Sequence, residues 1–317
     1  MPFRLHIACV LLAMFLWPVS VLGQSPELVD AYNRAVELQR QGRYQEAVLF
    51  AEKGLALCER EYGPDHPNFA VFLNNLAELY RSQGRYAEAQ PKYQKALAIQ
   101  EKELGPEHPH VATSLNNLAG LYLAQGRYVE AEQLYQQVLA IRENVLGPAH
   151  PDVGQSLSNL ATLYYDQGRY AEAEPLLQRA LVIDENALGP DHPTFAKHLS
   201  NLAELYNVQG RYAEAEPLFR KTLAIQEKAL GPEHIDVALS FNNLGGLYHA
   251  QRLYAQAEPL LQRALEIREK ALGPTHPDLA VVLENYAALL SETGRGAEAA
   301  KLEARADAIR NKHAKQD

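Results

Sequence analysis

Tryptophan and cysteine are nearly missing from this sequence. Trp17 is the one tryptophan, and it lies with Cys9 in the first 23 residues, so from Gln24 onward the chain holds a single cysteine, Cys58. An internal disulfide is thereby excluded, and only a bond between two chains in an oxidising compartment would give Cys58 a covalent role. Basic runs are lacking too. Lys and Arg number 30 against 39 Asp and Glu, for a formal charge of −9, and leaving out Arg4 takes −9 to −10. Nucleic acid needs several phosphate contacts from Lys and Arg, so it is excluded as a partner. Also missing are paired carboxylates, a Gly-rich phosphate loop after a strand, and Ser/His/Asp sets at motif spacing. The expectation is a non-enzyme with no cofactor. Apolar residues make up 47% and charged residues 22%, as in ordinary soluble globular chains.

What is present is one unit, repeated. Gly105 to Leu146 is 42 residues long, and sliding the sequence by that length superposes Gly42, Gly84, Gly126, Gly168, Gly210 and Gly294. The same shift superposes Gly63, Gly105, Gly147, Gly189, Gly231 and Gly273. A fixed period in this range marks a solenoid. Each unit predicts two helices. Leu115, Leu118, Ala119 and Tyr122 fall at helical spacing, and Gly126 stops the helix as a left-handed C-cap. A second pattern runs from Tyr128 through Ala131, Tyr135, Val138, Leu139 and Leu146 to Gly147-Pro148, another Gly C-cap. His150 precedes Pro151 and is pushed out of the helical region, which puts Pro151 at the next helix's first position. The helices should have roughly 16 and 19 residues, or about 24 and 28 Å. Two helices cannot bury both apolar faces alone, so the pairs must stack.

Leu-x-x-Leu-Ala-x-Leu-Tyr followed by Gly-x-Tyr-x-x-Ala resembles the tetratricopeptide pattern. LNNLA at Leu73–Ala77 and Leu115–Ala119, EAEPL at Glu172–Leu176 and Glu214–Leu218, RALEI at Arg263–Ile267 and the GPxHP loops are similar to the 42-residue repeats of kinesin light chains and their bacterial relatives. The resemblance covers about Ser25 to the C-terminus. It implies an all-α, right-handed superhelical solenoid. Coiled-coil heptads of the kinesin light chain are absent, so a motor-adaptor role does not follow.

Residues 1–23 stand apart. Arg4 gives a positive start, and the apolar stretch of about 16 residues that follows is short for a spanning helix of about 20. A secretory signal peptide cut after Gly23 is expected, with an exported, periplasmic or secreted product; an uncleaved membrane anchor is the alternative. Gln24 to Asp317 is 294 residues, or 7 × 42, which suits seven repeats at about 25–66, 67–108, 109–150, 151–192, 193–234, 235–276 and 277–317. The first is worn: Ala51 stands where Tyr93 and Tyr135 stand later. The last is charged: Glu303 occupies that same position, as a solubilising cap requires. Repeat six has Arg252 where Gly is expected, in a left-handed turn that non-glycine residues enter rarely.

Three columns invite a functional role. His66, His108, His150, His192, His234 and His276 stand one per loop. Adjacent loops are about 10 Å apart, too far to share a zinc ion that holds nitrogen at about 2.0–2.1 Å, so capping is expected rather than metal binding. Tyr44, Tyr86, Tyr128, Tyr170, Tyr212 and Tyr254 are expected to pack between helices. Asn33, Asn75, Asn117, Asn159, Asn201, Asn243 and Asn285 recur without exception, although Asn is a poor helix-interior residue. In the resembled family this position lines the concave groove, where an amide can donate to and accept from an extended peptide. Bonding between stacked helices is the other role open to it. Specificity would come from varying neighbours: Tyr165, Asn207 and His249 six residues on, Lys197 four before. Several basic residues, as a carboxylate clamp needs, are not among them. The expected function is a protein- or peptide-binding scaffold, with a structural part of the cell envelope, binding by its convex face or ends, as the alternative. Cys58 aligns with Gln100, Arg142, Asp184, Gln226 and Arg268, all polar, which predicts partial exposure.

Overall fold

The computed structural model describes residues 25–314, and all secondary structure in them is helical. The expected signal peptide lies outside the described residues. Fourteen helices follow in order: α1 (Pro26–Arg40), α2 (Tyr44–Tyr62), α3 (Pro67–Ser82), α4 (Tyr86–Leu104), α5 (Pro109–Ala124), α6 (Tyr128–Leu146), α7 (Pro151–Asp166), α8 (Tyr170–Ala187), α9 (Pro193–Val208), α10 (Tyr212–Leu230), α11 (Ile235–Ala250), α12 (Tyr254–Leu272), α13 (Leu279–Glu292) and α14 (Gly296–Ala314). They form two compact units that divide at Gln167 and Gly168. In the first unit α1/α2, α3/α4 and α5/α6 are hairpins, each stacked on the next, and α7 packs on α6. In the second, α8 packs on α9, and α9/α10, α11/α12 and α13/α14 are stacked hairpins.

Chain punctuation sets these lengths. The expected 16 and 19 residues are those of α5 and α6. Gly126 at φ 71° ends α5 in the left-handed region. Gly147 differs from the expected left-handed cap: at φ 86° and ψ 153° it sits in a region essentially reserved for glycine. There the chain turns sharply into the loop instead of curling back on the helix. Five of these loops end on a histidine that caps the following helix, and His276 holds the turn before α13, whose N-cap is Asp278. His66 Nδ1 accepts the Asn68 N–H at 3.1 Å, and His108 and His192 accept from His110 and Thr194 at 3.1 Å. His150, His234 and His276 accept from Asp152, Asp236 and Asp278 at 3.1 to 3.2 Å. One of the orphan donors at the start of α3, α5, α7, α9 and α11 is thereby satisfied.

Apolar residues fill the space between helices. Tyr93, Tyr135, Leu177, Phe219 and Leu261 occupy one column and are fully or almost fully buried, while Glu303, in the same column, is exposed on the final helix. The column through Cys58 corrects the expectation of exposure. Cys58 is completely buried in a core cluster that includes Phe72, and burial pushes its thiol up to about 12. A bond to another chain therefore has no accessible thiol to start from. Four of its polar counterparts are buried as well, because each meets a residue fourteen positions on; the fifth, Arg268, is half-buried and donates to the Asp278 carbonyl instead. Ser114 donates to Gln100 at 2.6 Å, Arg142 to Ser156 at 2.9 Å, and Ser240 to Gln226 at 2.6 Å. At Asp184 the partner is His198, whose Nδ1 lies 2.7 Å from the carboxylate with both side chains fully buried. The Tyr44–Tyr254 column also differs from expectation. These rings are half-buried at the first position of each second helix, and Tyr128 is exposed.

Candidate asparagine-row binding face

The odd-numbered helices of each unit carry the asparagine row. Its amides follow a rule that the sequence left open between two roles. An asparagine donates to the residue that precedes the asparagine of the repeat before, 43 positions back. Asn159 Nδ2 donates to Asn116 Oδ1 at 2.7 Å, Asn243 to Ser200 Oγ at 3.3 Å, and Asn285 to Asn242 Oδ1 at 3.0 Å. Asn243 and Asn285 are buried in doing so. Gln155 donates to Asn159 Oδ1 at 2.8 Å and completes that amide. These three amides hold helix to helix within a unit, and Asn201 is buried.

Asn75 and Asn117 are different. Both are half-buried on α3 and α5, and among the described residues neither makes a hydrogen bond. The residue 43 positions before Asn117 explains part of this. Asn74 turns its Nδ2 to Ser114 Oγ at 2.7 Å, and Ser114 passes the bond on to Gln100. Asn74 thus serves the buried polar column, and its Oδ1 accepts from nothing. Asn33, in the first repeat, is exposed.

The varying positions fall into separate settings. Tyr165 is half-buried near the end of α7 in the first unit. In the second unit Lys197 is half-buried near the start of α9, where desolvation lowers its ammonium below the usual lysine range and Asp236 partly offsets this. Asn207 is buried at the other end of α9. His249 on α11 has Glu292 3.4 Å from its Nε2 and the Tyr254 ring at 5.7 Å; desolvation lowers it, against the pull of Glu292. In the first unit the equivalent Arg81 is tied to Glu78 at 2.5 Å, and Glu78 also accepts from Tyr93 at 2.8 Å. No group of three metal-ligating residues is formed among the described residues, and no described helix is long and apolar enough to cross a membrane.

The residues that the sequence analysis passed over are the acceptors of the row, Asn116, Ser200 and Asn242, and Asn74, which donates elsewhere. Their signal was the doubled asparagine of LNNLA at 73–77 and 115–119 and of FNNLG at 241–245. The second asparagine varies least, but its bond depends on the residue 43 positions back, in the repeat before.

Comparison with known proteins agrees with this architecture. Models of the tetratricopeptide repeat match residues 31–68 and, in overlapping stretches, 68–144, 111–186, 152–206, 194–268 and 236–312. No curated protein matches the sequence. Among solved structures, one from Podosopora anserina, described as a kinesin light chain of nearly identical TPR-like repeats, is 33% identical over 65% of this chain and 97% of its own, with a TM-score of 0.54. BtubC (BKLC) from P. vanneervenii is 24% identical over 74% of this chain and 92% of its own, with a TM-score of 0.57. A Rap protein complexed with competence and sporulation factor is 18% identical over 92% of this chain and 76% of its own, with a TM-score of 0.69. The last two share the fold alone. With repeat models spanning nearly all of the described residues and relatives of the kinesin-light-chain kind beside them, the chain belongs to the tetratricopeptide repeat family.

Proposed function

We propose that this protein is a non-catalytic scaffold that binds an extended protein or peptide segment along the asparagine face of α3 and α5 in its first unit, with Asn75 and Asn117 as the principal amides. The supporting observation is their freedom. Both stand half-exposed with donor and acceptor unused, where the equivalent Asn159, Asn243 and Asn285 are committed to neighbouring helices. An unused amide can accept a peptide N–H and donate to a peptide carbonyl together. Their spacing of one repeat suits a backbone more than any one side chain. Tyr165, half-buried on α7 of the same unit, would then adjust preference, whereas Asn201 and Asn207 of the second unit are buried. The Rap proteins, solved with competence and sporulation factor and with the Phr* peptide, lend this general support through their shared fold.

Peptides selected from a random display library on the full chain provide the test. The double variant Asn75→Ala/Asn117→Ala should bind them at least about fivefold more weakly, as the loss of two hydrogen bonds of about 0.5–1.5 kcal/mol each implies. Its thermal midpoint should match the wild type. Equal affinity for the two proteins would remove the asparagine face from the mechanism.

Export is part of the same proposal, on the strength of the apolar segment after Arg4. Mass spectrometry of the protein recovered from the envelope and medium should find a mature start at Gln24. Retention of Met1 in a membrane fraction would favour an anchored component of the cell envelope.

A further inference from the structure

One carboxylate, three residues after an asparagine of the row, is kept in both units while the groups around it change. On α3 it is Glu78, and three side chains donate to it. Arg81 gives Nε at 2.8 Å and Nη2 at 2.5 Å, the Tyr93 hydroxyl donates at 2.8 Å, and Ser82 Oγ at 3.4 Å. The same four positions recur 126 residues on, which is three repeats of 42. There the acid remains as Glu204, but Asn207 stands for Arg81, Val208 for Ser82 and Phe219 for Tyr93. None of the three replacements is charged, and Val208 and Phe219 carry no side-chain donor. Glu204 is 3% exposed and Asn207 6%, and the buried Asn207 Oδ1 accepts no hydrogen bond. Residues three apart on a helix are neighbours, as Glu78 and Arg81 show, so the carboxylate and the amide oxygen share one turn of α9. The amide oxygen lacks a donor, and the carboxylate beside it favours a donor that is charged. We propose that Glu204 and Asn207 receive a basic side chain, arginine before lysine, from a bound protein segment, in the place that Arg81 fills in the first unit.

Lys197 and His249 do not fill that place. Lys197 precedes Glu204 by seven residues, about 10 Å along the helix, and is drawn to Asp236 of α11. His249 of α11 faces Glu292, 3.4 Å from its Nε2. Depth then selects the ligand. Groups this buried lie below the reach of a peptide backbone, but the tip of a long side chain can enter. A guanidinium is planar and weakly hydrated, and its five N–H donors allow it to grip the carboxylate as Arg81 grips Glu78 while one further N–H meets the amide oxygen. An ammonium has no such fork and is more strongly hydrated. Val208 is 43% exposed at the next position and marks the open side of the turn; it offers apolar surface to the methylene stem of an arriving arginine. The site belongs to α9 of the second unit and does not depend on Asn75 and Asn117 of the first.

Acetylated, amidated pentapeptides of the form Ala-Ala-Xaa-Ala-Ala test the charge directly, with arginine, lysine or citrulline, the neutral isostere of arginine, at the centre. Titrations of the full chain followed by amide NMR should show the arginine peptide binding at least about tenfold more tightly than the citrulline peptide, as hydrogen bonds to charged groups imply, with the lysine peptide between them. Equal affinity for arginine and citrulline, or no saturable binding of the arginine peptide at millimolar concentration, would overturn the receptor. Glu204→Gln keeps the shape and removes the charge, and should bring the arginine peptide down to the citrulline level. The variant Asn207→Arg/Phe219→Tyr copies the first unit's arrangement and fills the site from within. It should keep the wild-type circular dichroism spectrum and bind the arginine peptide about tenfold more weakly. Undiminished affinity in that folded variant would put the peptide elsewhere and sink the assignment. Asn75→Ala/Asn117→Ala should bind the arginine peptide as the wild type does, which keeps this site distinct from the face on α3 and α5; loss of binding there would take the site away from α9.

Discussion

The two units are built from one repeat, yet they solve the same packing problem with different chemistry. In the column that runs through Cys58, the first unit buries an apolar thiol (in a core cluster that includes Phe72), a neutral Gln100–Ser114 bond and an Arg142–Ser156 bond. The second unit places Asp184 against His198 at 2.7 Å in the same slot, then returns to a neutral Gln226–Ser240 bond. The asparagine row divides inside the first unit, free at Asn75 and Asn117 but closed at Asn159, and is closed at Asn243 and Asn285 in the second. Geometry fixes that something polar or small must meet across each slot. It does not fix which, so the slots record where the fold tolerates substitution and where a substitution must come in pairs.

The largest effect should come from breaking the buried His–Asp slot. His198→Ala leaves Asp184 fully buried with no partner, and removing one member of a buried pair costs about 3–5 kcal/mol. Urea unfolding followed by circular dichroism would measure it. The comparison sharpens with a transplant. Asp184→Gln/His198→Ser copies the Gln226–Ser240 solution into the slot and should recover most of that loss, because replacing both members of a buried pair is far milder than removing one. A transplant no more stable than His198→Ala would mean that the slot's shape, rather than its pairing, sets the outcome.

A smaller effect separates the two ends of the asparagine row. Asn285→Ala removes the donor to Asn242 Oδ1 at a buried position, which should cost about 1–3 kcal/mol. Asn75→Ala removes an amide with no hydrogen bond and should change stability by no more than about 0.5 kcal/mol. Equal losses in urea melts of the two variants would erase the distinction between closed and free amides, and with it the basis for the proposed binding face.

The contrast also marks what could be read from sequence. Helix lengths, the Pro-first helices and the histidine loops were legible because backbone rules act locally: Gly147 and Pro151 leave little choice. The burial of Cys58, Gln100 and Asp184 was not legible, since a polar column looks like a solvent face until its partners fourteen residues on are counted. The row's double role was half-legible. The period exposed Asn75 and Asn285 as equivalents, but hydrogen bonding depends on the residue 43 positions back, in the repeat before, which periodicity does not register. Asn74 and Glu284 occupy the same place in their repeats and cannot act alike.

The smallest effect concerns the turn of repeat six, set against its regular counterpart. In the repeat of α5 and α6, Gly126 takes φ 71°, Arg127 stacks over Tyr122 at 4.0 Å and binds Glu130 at 2.9 Å. In the repeat of α11 and α12, Arg252 takes φ 60°, Leu253 is exposed in place of the arginine, and Gln256 replaces the glutamate. A left-handed non-glycine residue costs about 1–2 kcal/mol, and glycine's greater freedom in the unfolded chain returns about 0.4–1 kcal/mol of that. Arg252→Gly should therefore raise the thermal midpoint by about 1–3 °C, and Gly126→Arg should lower it by a similar amount. A lower midpoint for Arg252→Gly would show that the arginine side chain contributes more to the turn than its backbone costs, and that repeat six departs from the others by compensation and not by wear.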